Sequence, residues 1–192
     1  SRDDVAKARN DWRGKQSKMR PEQLIFIDET WTSTNMAPRY GRTAKGKRVE
    51  GVAPHGHWLT TTFLAALRHD RIDAPCVFNG PINGACFRAW TEQALAPTLK
   101  PGDLVIMDNL SSHKVAGVRE AIESRGATVH YLPPYSPDMN PIEQVFAKLK
   151  HFLRKTGART VETLHNAIGE LIDQFSPQEC YNYIRASGYG ST

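Results

Sequence analysis

Three cysteines in 192 residues, Cys76, Cys86 and Cys180, are too few and too scattered for a disulfide framework. None forms a Cys-x-x-Cys pair, and the seven histidines supply no tight group of soft ligands, which argues against a zinc site. Unpaired thiols suit a reducing, cytoplasmic setting. No apolar run approaches the ~20 residues needed to cross a bilayer, so no membrane partner is expected. The N-terminus is polar and charged, without a secretory pattern. Internal repeats and low-complexity tracts are missing too.

What remains is an ordinary globular composition, with 40% hydrophobic and 23% charged residues. One domain with a real core is the default at this length. The first residue is Ser1 rather than methionine, so a fragment of a longer protein is expected. The net charge of +5 and a pI near 9.2 favour a polyanionic partner. Arg39, Arg42, Lys45, Lys47 and Arg48 crowd into ten residues. Lys148, Lys150, Arg154 and Lys155 form a second basic group. Both groups suit phosphate contacts, and both also read as solvated surface.

Two apolar runs end in aspartate: Leu24-Ile25-Phe26-Ile27-Asp28 and Leu104-Val105-Ile106-Met107-Asp108. Each reads as a buried strand. A charge at the end of such a strand is costly unless something pairs with it. Thirty-four residues separate Asp108 from Glu143, which follows the stiff stretch Pro133-Pro134-Tyr135-Ser136-Pro137. A helix is expected to start there, with Asn140 as N-cap and Pro141 at its first position. Its apolar stripe is Ile142, Val145, Phe146, Leu149, Phe152 and Leu153. Glu143 then borders the buried seam, on a flank shared with Lys150 and Arg154.

Two readings of Glu143 stand together. It is a capping-box partner, or it joins Asp28 and Asp108 in an oxygen-rich set for hard divalent cations. The second reading needs the two strands parallel and adjacent, since open sheets bind ligands beyond the carboxyl ends of their strands. Each aspartate alone also reads as a turn residue. His113, five residues past Asp108, reads as a phosphate contact or proton relay, or else as a side chain bonded to the loop backbone. Asn109 orients the loop or makes a turn. Alternation along the first strand sends Glu29 to the face opposite Asp28, which leaves it outside the predicted site.

Further segments complete the pattern. Residues 29–48 read as turn-rich. Strands are expected at Arg48–Val52, Trp58–Leu67, Pro75–Phe78 and Thr128–Leu132, and helices at Ala85–Leu95, 114–125, Thr160–Gln174 and from Pro177. Residues 1–20 read as a solvated connector or exposed helix, with Trp12 docking on something. The order suits an α/β fold, a mixed sheet with helices on its faces.

Three blocks carry a resemblance: Phe26-Ile27-Asp28-Glu29-Thr30, Met107-Asp108-Asn109-Leu110-Ser111-Ser112-His113-Lys114, and Leu132-Pro133-Pro134-Tyr135-Ser136-Pro137-Asp138-Met139-Asn140-Pro141-Ile142-Glu143. They resemble the catalytic blocks of mariner-superfamily bacterial insertion-sequence transposases, which are DDE superfamily endonucleases. The resemblance covers about residues 24–155, and its third block is the most specific. The third acid is Glu143, whereas mariner elements themselves tend to carry Asp. It implies a ribonuclease H-like fold over residues 21–192, preceded by a connector from a missing DNA-binding region. Asp28, Asp108 and Glu143 would hold two Mg²⁺ ions, with Mn²⁺ able to substitute. Asn109 and His113 would support them. The implied partner is double-stranded DNA at transposon ends and target, with a homodimer as the active form. A stand-alone ribonuclease H-like nuclease and a catalytically silent DNA-binding module are the competing expectations.

Overall fold

The computed structural model describes residues 2–38, 40–48 and 54–190. Its elements run α1 (Asp3–Gln16), β1 (Leu24–Ser33), β2 (Thr60–Leu67), β3 (Ile72–Asn79), α2 (Gly84–Trp90), β4 (Leu104–Met107), α3 (Val118–Glu123), β5 (Thr128–Tyr131), α4 (Ile142–Thr156), α5 (Val161–Ile172) and α6 (Pro177–Ala186). Five strands form one sheet in the order β3-β2-β1-β4-β5. β1 pairs antiparallel with β2 and parallel with β4, so the sheet is mixed, as expected.

Alternation along β1 divides the core. Leu24 and Phe26 face α4, α5 and α6, where Ile142, Phe146, Leu149, Leu164 and Ile168 pack. Ile25 and Ile27 face the other way, onto Phe87, Trp90, Val118 and Ile122. The result is three layers, helices on both faces of a sheet. The helices owe their places mostly to amphipathic burial. Local chemistry sets their ends, as where the Thr160 hydroxyl accepts the Thr163 N–H at the start of α5.

Several boundaries differ from expectation. β1 does not stop at Asp28 but runs on to Ser33, through the segment expected to be turn-rich. Thr30, Trp31 and Thr32 have strand-favouring side chains, and Thr60–Phe63 pair with residues 30–33. The Arg48–Val52 strand falls mostly outside the described residues, and Arg48 itself is not in a strand. The single helix expected over 114–125 is two pieces. A short 3-10 turn spans Ser111–Lys114, then Gly117 at φ 95° breaks the path before α3. On β3, Ala74 at φ 49° and Pro75 make a bulge where the pairing with β2 shifts register.

Helix α1 is tied to the body of the fold. It has little apolar surface, yet Trp12 Nε1 donates to the Tyr189 hydroxyl at 2.9 Å, and that hydroxyl donates to the Met139 carbonyl at 2.8 Å. Tyr189 is fully buried and meets Phe26 edge-on. So α1 is hydrogen-bonded, through one tyrosine, to the turn before α4. No helix among the described residues is long and apolar enough to cross a membrane.

Candidate active site

The parallel pairing of β1 with β4 ends at Ile27 and Met107. Asp28 and Asp108 are the next residues of each strand, so the two acids leave the shared ladder side by side. Asp28 stays inside β1 because the strand continues against β2 alone. Glu143 arrives from the first turn of α4, on the face that Asp28 points toward. All three line one cavity of about 510 Å³, together with Asn109, Asn140 and the proline loop from Leu132 to Pro137. Arg2 reaches the same cavity.

Asp28 is buried, and its carboxyl is heavily engaged. Oδ1 accepts the Glu29 N–H at 2.8 Å and Oδ2 accepts the Asn140 amide at 2.8 Å. Its pKa is pushed up to about 8, first by burial and then by the Asp108 carboxylate, with Glu29 and Glu143 adding to the rise and the Glu29 N–H opposing it. The cavity therefore carries concentrated negative potential. Among the described residues, no three His, Cys, Asp or Glu side chains already converge as a metal-holding group. Asp28, Asp108 and Glu143 nonetheless line the same cavity. The donors are all oxygen, which is the chemistry of hard divalent cations and not of zinc or copper. On potential and donor type, the residues fit such an ion.

Two expectations about helix α4 are corrected. The Asn140 side chain does not cap the helix; Pro141 stands at the boundary, and the Asn140 amide reaches Asp28 instead. A side-chain cap contributes about 1 kcal/mol, which the chain forgoes here. Nor does Glu143 form a capping box. It is exposed, at the cavity wall.

His113 is also placed differently. It is fully buried and does not line the cavity, and its ring meets acidic side chains rather than the loop backbone. Nε2 lies 2.8 Å from Glu29 Oε2, hydrogen-bonded to it. Nδ1 approaches Asp108 Oδ1 at 2.7 Å as an ion pair, off the line of a hydrogen bond. The ring stacks on Phe87 with centroids 4.3 Å apart. Burial alone would lower the imidazole pKa, but the Asp108 and Glu29 carboxylates outweigh it and hold it raised, at about 10. Glu29 is the residue that sequence reasoning missed. Alternation does send it away from Asp28, onto the face where His113 lies. The signal was the acid itself, an unpaired charge in a strand next to Asp28. His113 thus bridges Glu29, within β1, and Asp108, just past β4.

The loop before α4 is pinned from α1. Arg9 Nη1 donates to the Tyr135 carbonyl and the Ser136 hydroxyl, both at 2.9 Å, and its guanidinium pairs with both Asp138 oxygens, at 3.0 and 2.7 Å. Asp138 organises the loop through this cation. Hydrogen bonding to Arg9 is the chief reason its pKa falls below the ordinary carboxylate value. Tyr135 stands at φ 55° with its side chain 85% exposed, so it does not pack down on the prolines.

Of the basic groups, Arg39 lies outside the described residues, while Arg42, Lys45, Lys47 and Arg48 are exposed. Lys150 sets its ammonium 5.1 Å from the centroid of Trp31. Arg154 lines a second cavity of about 420 Å³ with Pro38, Tyr40, His151 and Lys155, where the flank of the first basic group meets the second. Lys148 is otherwise occupied. It is bound to Glu179 at 2.8 Å and lies over the Phe175 ring. Trp31 and Trp58 are more than half exposed, whereas Trp90 is in the core.

A mixed five-stranded sheet in this order, helices on both faces, and acids at the end of the β1–β4 parallel pairing define a ribonuclease H-like fold with an acidic cavity. The sequence places it more closely: the family described as DDE superfamily endonuclease matches residues 23–165, and the chain belongs to that family. Solved structures of Mos1 transposase share the fold. The paired-end complex with the left transposon end is 16% identical, with a TM-score of 0.79 over 98% of this chain and 60% of that one. The Mos1 catalytic domain with raltegravir and Mg is 15% identical, with a TM-score of 0.74 over 98% of this chain and 92% of that one. This chain thus spans about 60% of the Mos1 chain in the paired-end complex and most of the separate catalytic domain. No curated protein matches it by sequence.

Proposed function

We propose that this chain is the catalytic domain of a DNA transposase, cutting phosphodiesters at transposon ends and joining the freed 3′-hydroxyl to target DNA. The observation that carries the reading is that Asp28, Asp108 and Glu143, far apart in sequence, all line one cavity at the end of the parallel pairing. Family membership supports it, as do the Mos1 transposase structures of the same fold, which were solved with transposon-end DNA and with Mg or Mn. Residues 21–192 are read as the catalytic unit and residues 1–20 as its N-terminal connector.

In this reading Asp28, Asp108 and Glu143 would hold two Mg²⁺ ions, for which Mn²⁺ would substitute. Bound there, the ions would supply activation of the attacking oxygen and charge stabilisation of the leaving one. The protein's part is to position the acids and the DNA. Asp28 is oriented by Asn140 and by the Glu29 N–H, and Asp108 by His113, with Asn109 at the rim. Water attacks the phosphorus at the transposon end, and the P–O3′ bond breaks to leave a 3′-hydroxyl. That hydroxyl then attacks a target phosphorus in line, forming one P–O bond as another breaks. Arg39, Arg42, Lys45, Lys47, Arg48, Lys150 and Arg154 contact double-stranded DNA through its phosphates, so affinity falls with salt. The active form is a homodimer acting on bacterial DNA in the cytoplasm.

Supercoiled plasmid tests this directly. Nicking is expected in Mg²⁺ or Mn²⁺ and not in EDTA, and Asp108→Asn abolishes it while the folded variant retains DNA. Joining of a pre-cut end to a target separates a transposase from a simple nuclease. Metal-independent nicking, or full activity in Asp108→Asn, refutes the assignment.

A further inference from the structure

Asn140 has an unusual position for a residue that opens a helix. It is 3% exposed, and its side chain turns away from α4. The Nδ2 group donates to Asp28 Oδ2, while the backbone carbonyl accepts the Glu143 N–H at 3.2 Å. One residue therefore touches two of the three acid-bearing positions, one by side chain and one by backbone. Its own Oδ1 is buried and has no hydrogen-bond partner, although the residue lines the acid cavity. Buried polar atoms are nearly always paired, so a lone one at a site calls for an explanation.

We infer that Asn140 is a positioning residue that fixes the Asp28 carboxylate for a divalent cation and offers its own Oδ1 as a further oxygen acceptor for that cation's water shell. This inference rests on the reading of the three acids as a cation-holding set. A carboxylate has about four lone-pair sites. The Glu29 N–H and the Asn140 amide take one on each oxygen of Asp28, which fixes the plane of the group and leaves the rest for a ligand. Groups of this kind around a metal typically alter affinity 10- to 100-fold when removed. The orphaned Oδ1 is neutral and can only accept hydrogen, so hydrated Mg²⁺ or Mn²⁺ suits it, whereas an anion does not. A plain structural tie between β1 and α4 would explain the amide contact but not the unpaired oxygen.

The test is a Mn²⁺ titration of the whole chain without DNA, by calorimetry and by electron paramagnetic resonance, alongside thermal melts in EDTA. The wild type is expected to bind Mn²⁺ and Asp28→Asn to lose it, which establishes the acid set. Asn140→Ala is then expected to weaken Mn²⁺ about 10- to 100-fold. Asn140→Ser, too short to reach Asp28, reproduces the loss and stands in if the alanine variant does not fold. Wild-type Mn²⁺ affinity in a folded Asn140 variant, with or without a lower melting point, overturns the inference and leaves the acid set intact. A wild type that binds no Mn²⁺ overturns the acid set itself and the inference with it.

Discussion

Replacing Arg9 with alanine probes how the loop before α4 keeps its shape. The loop contains Tyr135 in the left-handed region at φ 55°. For a residue with a bulky side chain that conformation costs about 1–2 kcal/mol. Arg9 opposes the cost with four hydrogen bonds to Tyr135, Ser136 and Asp138. Their worth has to be discounted, because the Asp138 side chain is 53% exposed and exposed ion pairs contribute about 0–1 kcal/mol. The bonds to the Tyr135 carbonyl and the Ser136 hydroxyl add about 1 kcal/mol between them. Support and strain therefore nearly cancel, and Arg9→Ala is expected to let the loop open. The amides of Met139 and Asn140, bonded to Ser136 and Pro137 carbonyls, report this. Their hydrogen exchange should speed up about tenfold, since 1.4 kcal/mol is a factor of ten. Tyr135→Gly, free of the backbone penalty, should restore protection in the Arg9→Ala background. Unchanged exchange in Arg9→Ala, or no rescue by glycine, refutes the balance described here.

Three further outcomes follow from other contacts. Arg68 is buried between Asp73 and Asp103, so Arg68→Ala leaves uncompensated charge and should destabilise by about 3–5 kcal/mol in urea unfolding; a loss under about 1 kcal/mol contradicts this. Glu29→Ala frees one side of His113, and cleavage in Mg²⁺ should slow about 10- to 100-fold with DNA retention unchanged; equal rates would show that the histidine needs no anchor. Asp138 has a folded pKa below its ordinary 3.8, so its contribution is complete above about pH 4 and fades as pH falls through the lower folded value. The stability gap between wild type and Asp138→Asn should close on acidification, and a gap that widens means the sign is wrong.

The acids were legible because buried strands and a charge at their end make a pattern that burial physics allows for few reasons. The placement of Glu143 beside the apolar seam came from helix periodicity alone, and it held. What stayed hidden depended on contacts between distant segments. The extension of β1 past Asp28 needs β2 as a partner, which no local propensity announces. Asn140 reads as an N-cap from its neighbours, but the cap loses to a hydrogen bond with a residue 112 positions away. Glu29 was set aside by alternation, a correct rule that says which face a side chain takes and nothing about what waits there. Arg9 sat in a stretch with no apolar signal, and its role comes from the folded loop it meets.

The bulge on β3 has a consequence for how molecules of this protein meet in solution. β3 is the rim strand of the sheet, where unpaired backbone groups can recruit a strand from a neighbouring molecule. Midway along it, Pro75 has no N–H to offer, the chain is kinked at Ala74, and the Ala74 carbonyl is already taken by the Trp90 indole at 2.8 Å. A foreign strand laid along this rim would lose its ladder halfway, so this side of the sheet is a poor template for edge-to-edge pairing.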